Sequence, residues 1–218
     1  LIVMMAFILS YLYCSNYFNS IDISIIVPMK RVNKIMTKLI VGCFVGVSAT
    51  LLVLIISGTL GSIGTEFGSL KSSILTYSTS GIRTYEPIRN FMMSWIIMSI
   101  LSMLFISNVI FVLSVLLKKK ISCFFSSLLF LFACTWGCTK IVPIFSIVHL
   151  IPTTYLNCLQ VLSGEIGYLT QNNDINALTG IIVLLICNIV LTIINFSLMK
   201  MREVSLLVYF ENLYSSHK

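Results

Sequence analysis

Charge is what this sequence has least of. Only 10% of its 218 residues are Asp, Glu, Lys or Arg, whereas 58% are hydrophobic and the mean hydropathy is +1.03. Soluble domains carry about a quarter charged residues and about 45–50% apolar ones, so an ordinary soluble fold would leave this apolar excess facing water. The same scarcity excludes a disordered chain, which needs high charge and low hydrophobicity. There are 4 prolines and 11 glycines, too few for a collagen-like repeat. Cysteine is present (Cys14, Cys43, Cys123, Cys134, Cys138, Cys158 and Cys187) but does not form a disulfide framework. Most of these cysteines fall in or against apolar runs, where Cys behaves as a small hydrophobe. Cys134 and Cys138 lie one helical turn apart with no His or carboxylate near them to complete a metal site.

What is there is a series of uncharged apolar runs. Crossing about 30 Å of hydrocarbon takes about 20 such residues in a helix. The runs predict five spans, at about 1–19, 39–60, 91–117, 121–139 and 178–199. The fold class expected is an all-α polytopic transmembrane helical bundle, a single membrane domain over residues 1–218. Leu1 opens an apolar run with no basic flank, unlike a secretory signal, so a further helix upstream is expected, giving six in all. Lys30, Arg31, Lys34 and Lys38 fall between the first two runs, Lys118, Lys119 and Lys120 between the third and fourth, and Lys200, Arg202 and Lys218 after the fifth. The alternate connections carry Lys71, Arg83, Arg89 and Lys140, offset by Glu66, Glu86, Glu165 and Asp174. The positive-inside rule then places the first set, and the C-terminus, in the cytoplasm. The basic excess thereby reports orientation in the bilayer, and no nucleic-acid partner is expected.

Within these boundaries the spans hold no Asp, Glu, Lys, Arg or His. Pumps and ion-coupled carriers usually keep an ionisable group in the membrane despite its cost. The chain also has no GxxxxGK[ST] phosphate loop, no HExxH and no GxSxG. Energy for any work must then come from another polypeptide, and no catalytic residue, bound cofactor or metal is expected in this chain. An intramembrane enzyme would have His149 as its sole candidate, and a lone His at an interface is more often a hydrogen-bonded structural residue. Asn188, Thr192 and Asn195 share one face of the last run at i, i+4 and i+7, as a packing seam or as the lining of a path. Gly42 and Gly46 form a GxxxG that allows close helix approach. The serines of the third run (Ser94, Ser99, Ser102, Ser107, Ser114) scatter around the helix.

Three segments outside the runs carry the rest. Residues 20–38, SIDISIIVPMKRVNKIMTK, alternate apolar and basic, which fits an interfacial amphipathic helix or a short helix docking into a cytoplasmic partner. Residues 61–90 are neutral and rich in Ser and Thr, forming a small cap or, slightly preferred, a solvated loop. Residues 142–176 open with an apolar stretch bounded by Pro143 and Pro152, too apolar for water and too short to span, which predicts a re-entrant or interfacial element.

The basic loop with Pro28-Met29-Lys30-Arg31 and Lys34, followed by a long penultimate segment with Pro152-Thr-Thr-Tyr155-Leu-Asn157 and Val161-Leu-Ser-Gly164 and one last span before a basic tail, resembles the permease subunit of an ABC-2 type exporter lacking its first helix. The resemblance covers essentially the whole chain. It implies a multi-pass protein of the bacterial plasma membrane that pairs with a second permease copy or a paralogue. It also implies cytoplasmic ABC ATPase partners, with ATP and Mg held on those subunits. The coupling loop would comprise Asp22, Met29, Lys30, Arg31 and Lys34, although the family's opening Glu is absent and Asp22 is the only nearby acid. The re-entrant outer gate would comprise Pro143, Pro152, Tyr155 and Asn157. Cargo would be an amphiphile (peptide, lipid-like molecule or drug) moving along uncharged walls in contact with membrane lipid. The alternative from another class is a non-transporting scaffold or bacteriocin-immunity-type membrane protein.

Overall fold

A computed structural model describes residues 2–14, 17–18, 21–22, 31–62, 72–78, 82–117, 119–141 and 146–215. Among these the chain forms seven α-helices and two short antiparallel strand pairs. In order they are α1 (Ile2–Cys14), β1 (Tyr17–Phe18), β2 (Ile21–Asp22), α2 (Arg31–Ser62), β3 (Ser73–Tyr77) and β4 (Arg83–Pro87). There follow α3 (Ile88–Leu117), α4 (Lys120–Lys140), α5 (Cys158–Leu162), α6 (Glu165–Thr170) and α7 (Ala177–Ser215). Two 3-10 turns, Val148–Leu150 and Pro152–Leu156, precede α5.

Four helices are long and apolar enough to cross a membrane: Met36–Leu60 in α2, Ile88–Leu117, Lys120–Cys138 in α4, and Ala177–Lys200 in α7. The protein is accordingly a multi-pass membrane helix bundle. The expected fifth span, 1–19, is seen only as the 13 residues of α1, about 20 Å of helix against the 30 Å of a bilayer core. Tyr17 pairs with Asp22 and Phe18 with Ile21 as strands, so residues 17 and 18 do not prolong the helix as expected.

Several hydroxyls that these helices carry into an apolar environment are paired locally. Thr50 donates to the Gly46 carbonyl (2.9 Å), Ser57 to Val53 (2.6 Å) and Thr135 to Leu131 (2.9 Å), each one turn back along its own helix. Without a hydrophobic force between helices in lipid, association rests on close packing and interhelical hydrogen bonds. Both converge on α3, whose buried side chains run from Met98 to Val115. α3 packs against α1, α2, α4 and α7.

The direction of each helix follows from these contacts. Gly42 meets Ser107 and Gly46 meets Met103, so α2 runs antiparallel to α3. Cys123 donates to the Ile110 carbonyl (3.8 Å) across the tight α3–α4 connection, again antiparallel. Gly180 lies near Met98 whereas Asn195 bonds Asn108, so α7 runs parallel to α3. Lys38, Lys119, Lys120 and Lys200 thereby gather at one end of the bundle, the basic end. Arg89, Lys140 and the segment 146–176 lie at the other, the far end.

At the far end residues 72–78 and 82–87 do not form the plain solvated loop that the composition favoured. β3 and β4 form a hairpin in the register Ser73↔Pro87 to Tyr77↔Arg83, with the Thr76 and Thr84 hydroxyls 2.8 Å apart across it. The hairpin runs directly into α3. It is held to the outer segment where the Tyr77 amide donates to the Ser163 carbonyl (2.8 Å). Gly164 follows in the left-handed region at φ 78°, and a Cβ there would overlap the Tyr77 carbonyl oxygen. Glycine is required at that turn on both counts.

Candidate functional site

Three polar nodes join α3 to its neighbours. The first lies near the basic end. The Tyr13 phenol donates to the Lys38 carbonyl (3.1 Å) and sits 2.6 Å from the Ser107 hydroxyl, with Gly42 pressed against both side chains. The Lys38 ammonium reaches back 3.5 Å to the Tyr13 carbonyl and lies 5.2 Å above the Phe111 ring. On the α4 side, Lys120 lies 4.2 Å above the Tyr11 ring and Phe7 meets Phe124 edge-on at 5.6 Å.

The second node is a chain of carboxamides. Asn108 Nδ2 donates to Asn188 Oδ1 (2.9 Å), Asn195 Nδ2 donates to Asn108 Oδ1 (3.2 Å), and Asn188 Nδ2 donates to the Leu101 and Leu184 carbonyls (3.1 and 2.9 Å). Asn188 and Asn195, predicted to share a face, thus form a packing seam with α3. Thr192, the third residue of that face, donates to the Asn188 carbonyl of its own helix (2.8 Å) and borders an open groove. Asn108 was missed by the sequence reading. The signal available was its standing as an amide inside an uncharged span, since polar groups there face a partner.

The third node belongs to the outer segment. Pro152 opens the second 3-10 turn, and Thr153, Thr154 and Tyr155 are buried. The Tyr155 phenol donates to the His149 carbonyl (2.8 Å), while Ser102 of α3 donates to the Tyr155 carbonyl (3.2 Å). Burial pushes the Tyr155 phenol up to about 12, and the Asp174 carboxylate adds to the shift. The Cys158 thiol is likewise pushed up by burial, an effect its hydrogen bonds to Ser102 and Ser99 oppose. The His149 ring is 3.3 Å from the Asn172 amide, which gives it a structural partner.

A cleft of about 480 Å³ opens beside this node, between Val3 of α1, Trp95 to Ile106 of α3 and the stretch Leu156–Gln160. Its lining mixes Ser99, Ser102, Asn157 and Gln160 with Met103 and Leu159. The serines of α3 turn to different neighbours, Ser102 to the outer segment and Ser107 to α1 and α2. Ser99, Ser102, Ser107 and Ser114 are all buried. Beneath the hairpin lies a second, more polar cavity of about 560 Å³, bordered by Thr76, Glu86, Asn90, Ser94 and Asn176.

The remaining predicted residues are placed as follows. Asp22 ends β2, and Arg31 and Lys34 stand on the first turns of α2, so residues 31–38 prolong that helix and do not form a separate amphipathic one. Met29, Lys30 and Pro143 lie outside the described residues. Pro152, Tyr155 and Asn157 are brought together at the far end. They sit a bundle length from Arg31 and Lys34, so the two predicted sites are connected only through the helices. Compared with known proteins, the chain matches no family model, no curated protein and no solved structure.

Proposed function

We propose that this chain is the permease of an ATP-driven exporter of the ABC-2 type, moving an amphiphilic cargo while a separate cytoplasmic subunit hydrolyses ATP. The observation that carries this reading is the polarity of the bundle. Basic helix ends collect at one end, a folded segment of short helices and turns packs back onto α3, α4 and α7 at the other, and the four spans between them carry no Asp, Glu, Lys, Arg or His beyond their first and last turns. Such a body is suited to receive force at the basic end and to open or close at the far end.

In this reading the basic end faces the cytoplasm. α1 enters from the far side as a fifth span, and 146–176 is a re-entrant gate. Arg31 and Lys34, on the turns that prolong α2 out of the membrane, form the docking surface for the ATPase, together with Asp22, Met29 and Lys30 of the preceding loop. Motion of that turn is passed to α3 through the Tyr13–Ser107–Gly42 node and from α3 to the outer segment through Ser102 and Tyr155. Cargo follows the cleft between α1, α3 and 156–160, where neutral hydroxyls and amides alternate with apolar side chains. A second permease completes the path.

Co-purification tests this. The ATPase encoded with the chain should be retained by the wild type and lost from a Lys30→Glu/Arg31→Glu/Lys34→Glu variant that still reaches the membrane at normal abundance. Unchanged retention sinks the docking surface. Cargo movement by the purified chain without nucleotide sinks the whole reading.

A further inference from the structure

Two free thiols that are far apart in the sequence meet at the basic end. Cys14 is the last residue of α1, and Cys123 closes the first turn of α4. Their side chains hydrogen-bond to each other, and both are buried. Flanking contacts fix how α1 lies along α4: Phe7 packs on Phe124, and Lys120 lies over Tyr11. Ser10, one turn before Cys14, is buried too. Its hydroxyl lies toward the Cys123 thiol without reaching a stronger partner. A buried polar group left in that position calls for an explanation.

The surroundings of the pair are positively charged. The Lys38 and Lys120 ammonium groups both act on the Cys14 thiol. Their contacts with the Tyr13 carbonyl and with the Phe111 and Tyr11 rings leave those charges in place. Paired thiolates are soft donors, which select Cu(I), zinc or iron–sulfur clusters. Zinc sites and iron–sulfur clusters take about four protein ligands. Among the described residues no group of three or more His, Cys, Asp or Glu is brought together. Cu(I), with its filled d shell, is satisfied by two thiolates in line. Binding releases both thiol protons to water and leaves a complex with one net negative charge. Burying that charge alone would be costly, and Lys38 and Lys120 supply the compensation. Both cysteines stand at helix ends, so the ion has a route from the end of the bundle.

We propose that Cys14 and Cys123 form a two-coordinate site for one Cu(I) ion, which clamps α1 to α4 at the basic end. The assignment does not depend on the transport reading, since it needs neither an ATPase nor a cargo.

The test is anaerobic titration of the reduced, purified full chain in mild detergent with Cu(I) held by bicinchoninate. One Cu(I) per chain should pass from the chelator to the protein. Copper K-edge absorption of the loaded wild type should show a shell of two sulfurs. That measurement needs no variant, so a misfolded substitution cannot blunt it. Cys14→Ser and Cys123→Ser should each weaken Cu(I) binding by about a hundredfold or more, at least the worth of an outer-shell contact. Cys134→Ser/Cys138→Ser should bind as the wild type does. The proposal is overturned if copper stays on the chelator, or if the metal has a third sulfur or a nitrogen or oxygen neighbour. It also falls if Cys14→Ser or Cys123→Ser binds normally, or if Cys134→Ser/Cys138→Ser abolishes binding. Trapping of thiols in intact cells supplies the last outcome: a Cys14–Cys123 disulfide there would make the pair a redox lock and not a metal site.

Discussion

Asn108 joins α3 to α7 with a single side chain, accepting from Asn195 and donating to Asn188. Asn195 Oδ1 is already buried without a partner, so the seam has no spare hydrogen bond to give. Asn108→Leu should lower the midpoint of thermal unfolding in detergent, at a cost of about 1–2 kcal/mol, the usual worth of an interhelical amide bond plus one stranded polar group. Adding Asn195→Leu should cost less than its single effect, because it removes the group left stranded. Strict additivity would show that the two amides do not interact. The face formed by Asn188, Thr192 and Asn195 was legible in the sequence because spacing along one helix fixes which residues share a side. What they face was not, since nothing in that spacing names the opposite helix. Tyr155 supplies a test by pH. Its folded value is raised to about 12 from 10.0, so the neutral phenol's contribution is fully present below pH 10 and is lost as pH rises toward 12. Tyr155→Phe should remove the bond to the His149 carbonyl, costing about 1 kcal/mol at pH 8, and should flatten the alkaline fall in stability. A variant as alkali-sensitive as the wild type would assign that fall to other groups.

At the level of elements, helix existence was legible and helix ends were not. Uncharged runs mark the part of a helix that lies in hydrocarbon, so α2 and α7 were bounded at Leu39 and Met199. The backbone continues, from Arg31 at one end and to Ser215 at the other, because Lys, Arg and Glu are good helix formers once outside the membrane. The β3–β4 hairpin escaped notice for a related reason. Its ten strand residues sit in a longer neutral segment, and β4 is exposed along its whole length, so no buried face marks it. Its docking rests on the Ser163–Gly164 turn. Gly164→Ala places an L-residue at φ 78° and a methyl group against the Tyr77 carbonyl, at a cost of about 1–2 kcal/mol for the backbone alone. The expected outcome is local. Amide exchange should accelerate tenfold or more over residues 73–87 and stay unchanged in α3 and α7. Uniform acceleration along the chain would mean that the hairpin is part of the cooperative core.

For the whole molecule, the decisive property is that alternating helix directions sort the charges by end. Basic residues as far apart in sequence as Lys38 and Lys200 share one end because α2, α3, α4 and α7 alternate in the bundle while α3 and α7 run parallel. That sorting was legible from the sequence, since it needs only the number of crossings between one basic cluster and the next. The native cysteine of the outer segment, Cys158, is buried and a poor reporter of it. Introduced thiols at exposed positions are better: Lys119→Cys in the α3–α4 connection and Tyr85→Cys on β4. In intact cells a membrane-impermeant maleimide should label Tyr85→Cys and spare Lys119→Cys, and inverted vesicles should give the opposite pattern. Labelling of both from one side would break the antiparallel arrangement of α3 and α4. The reversed pattern would keep the bundle but turn it over. The basic end would then face outward, and the ATPase would have no surface to grip.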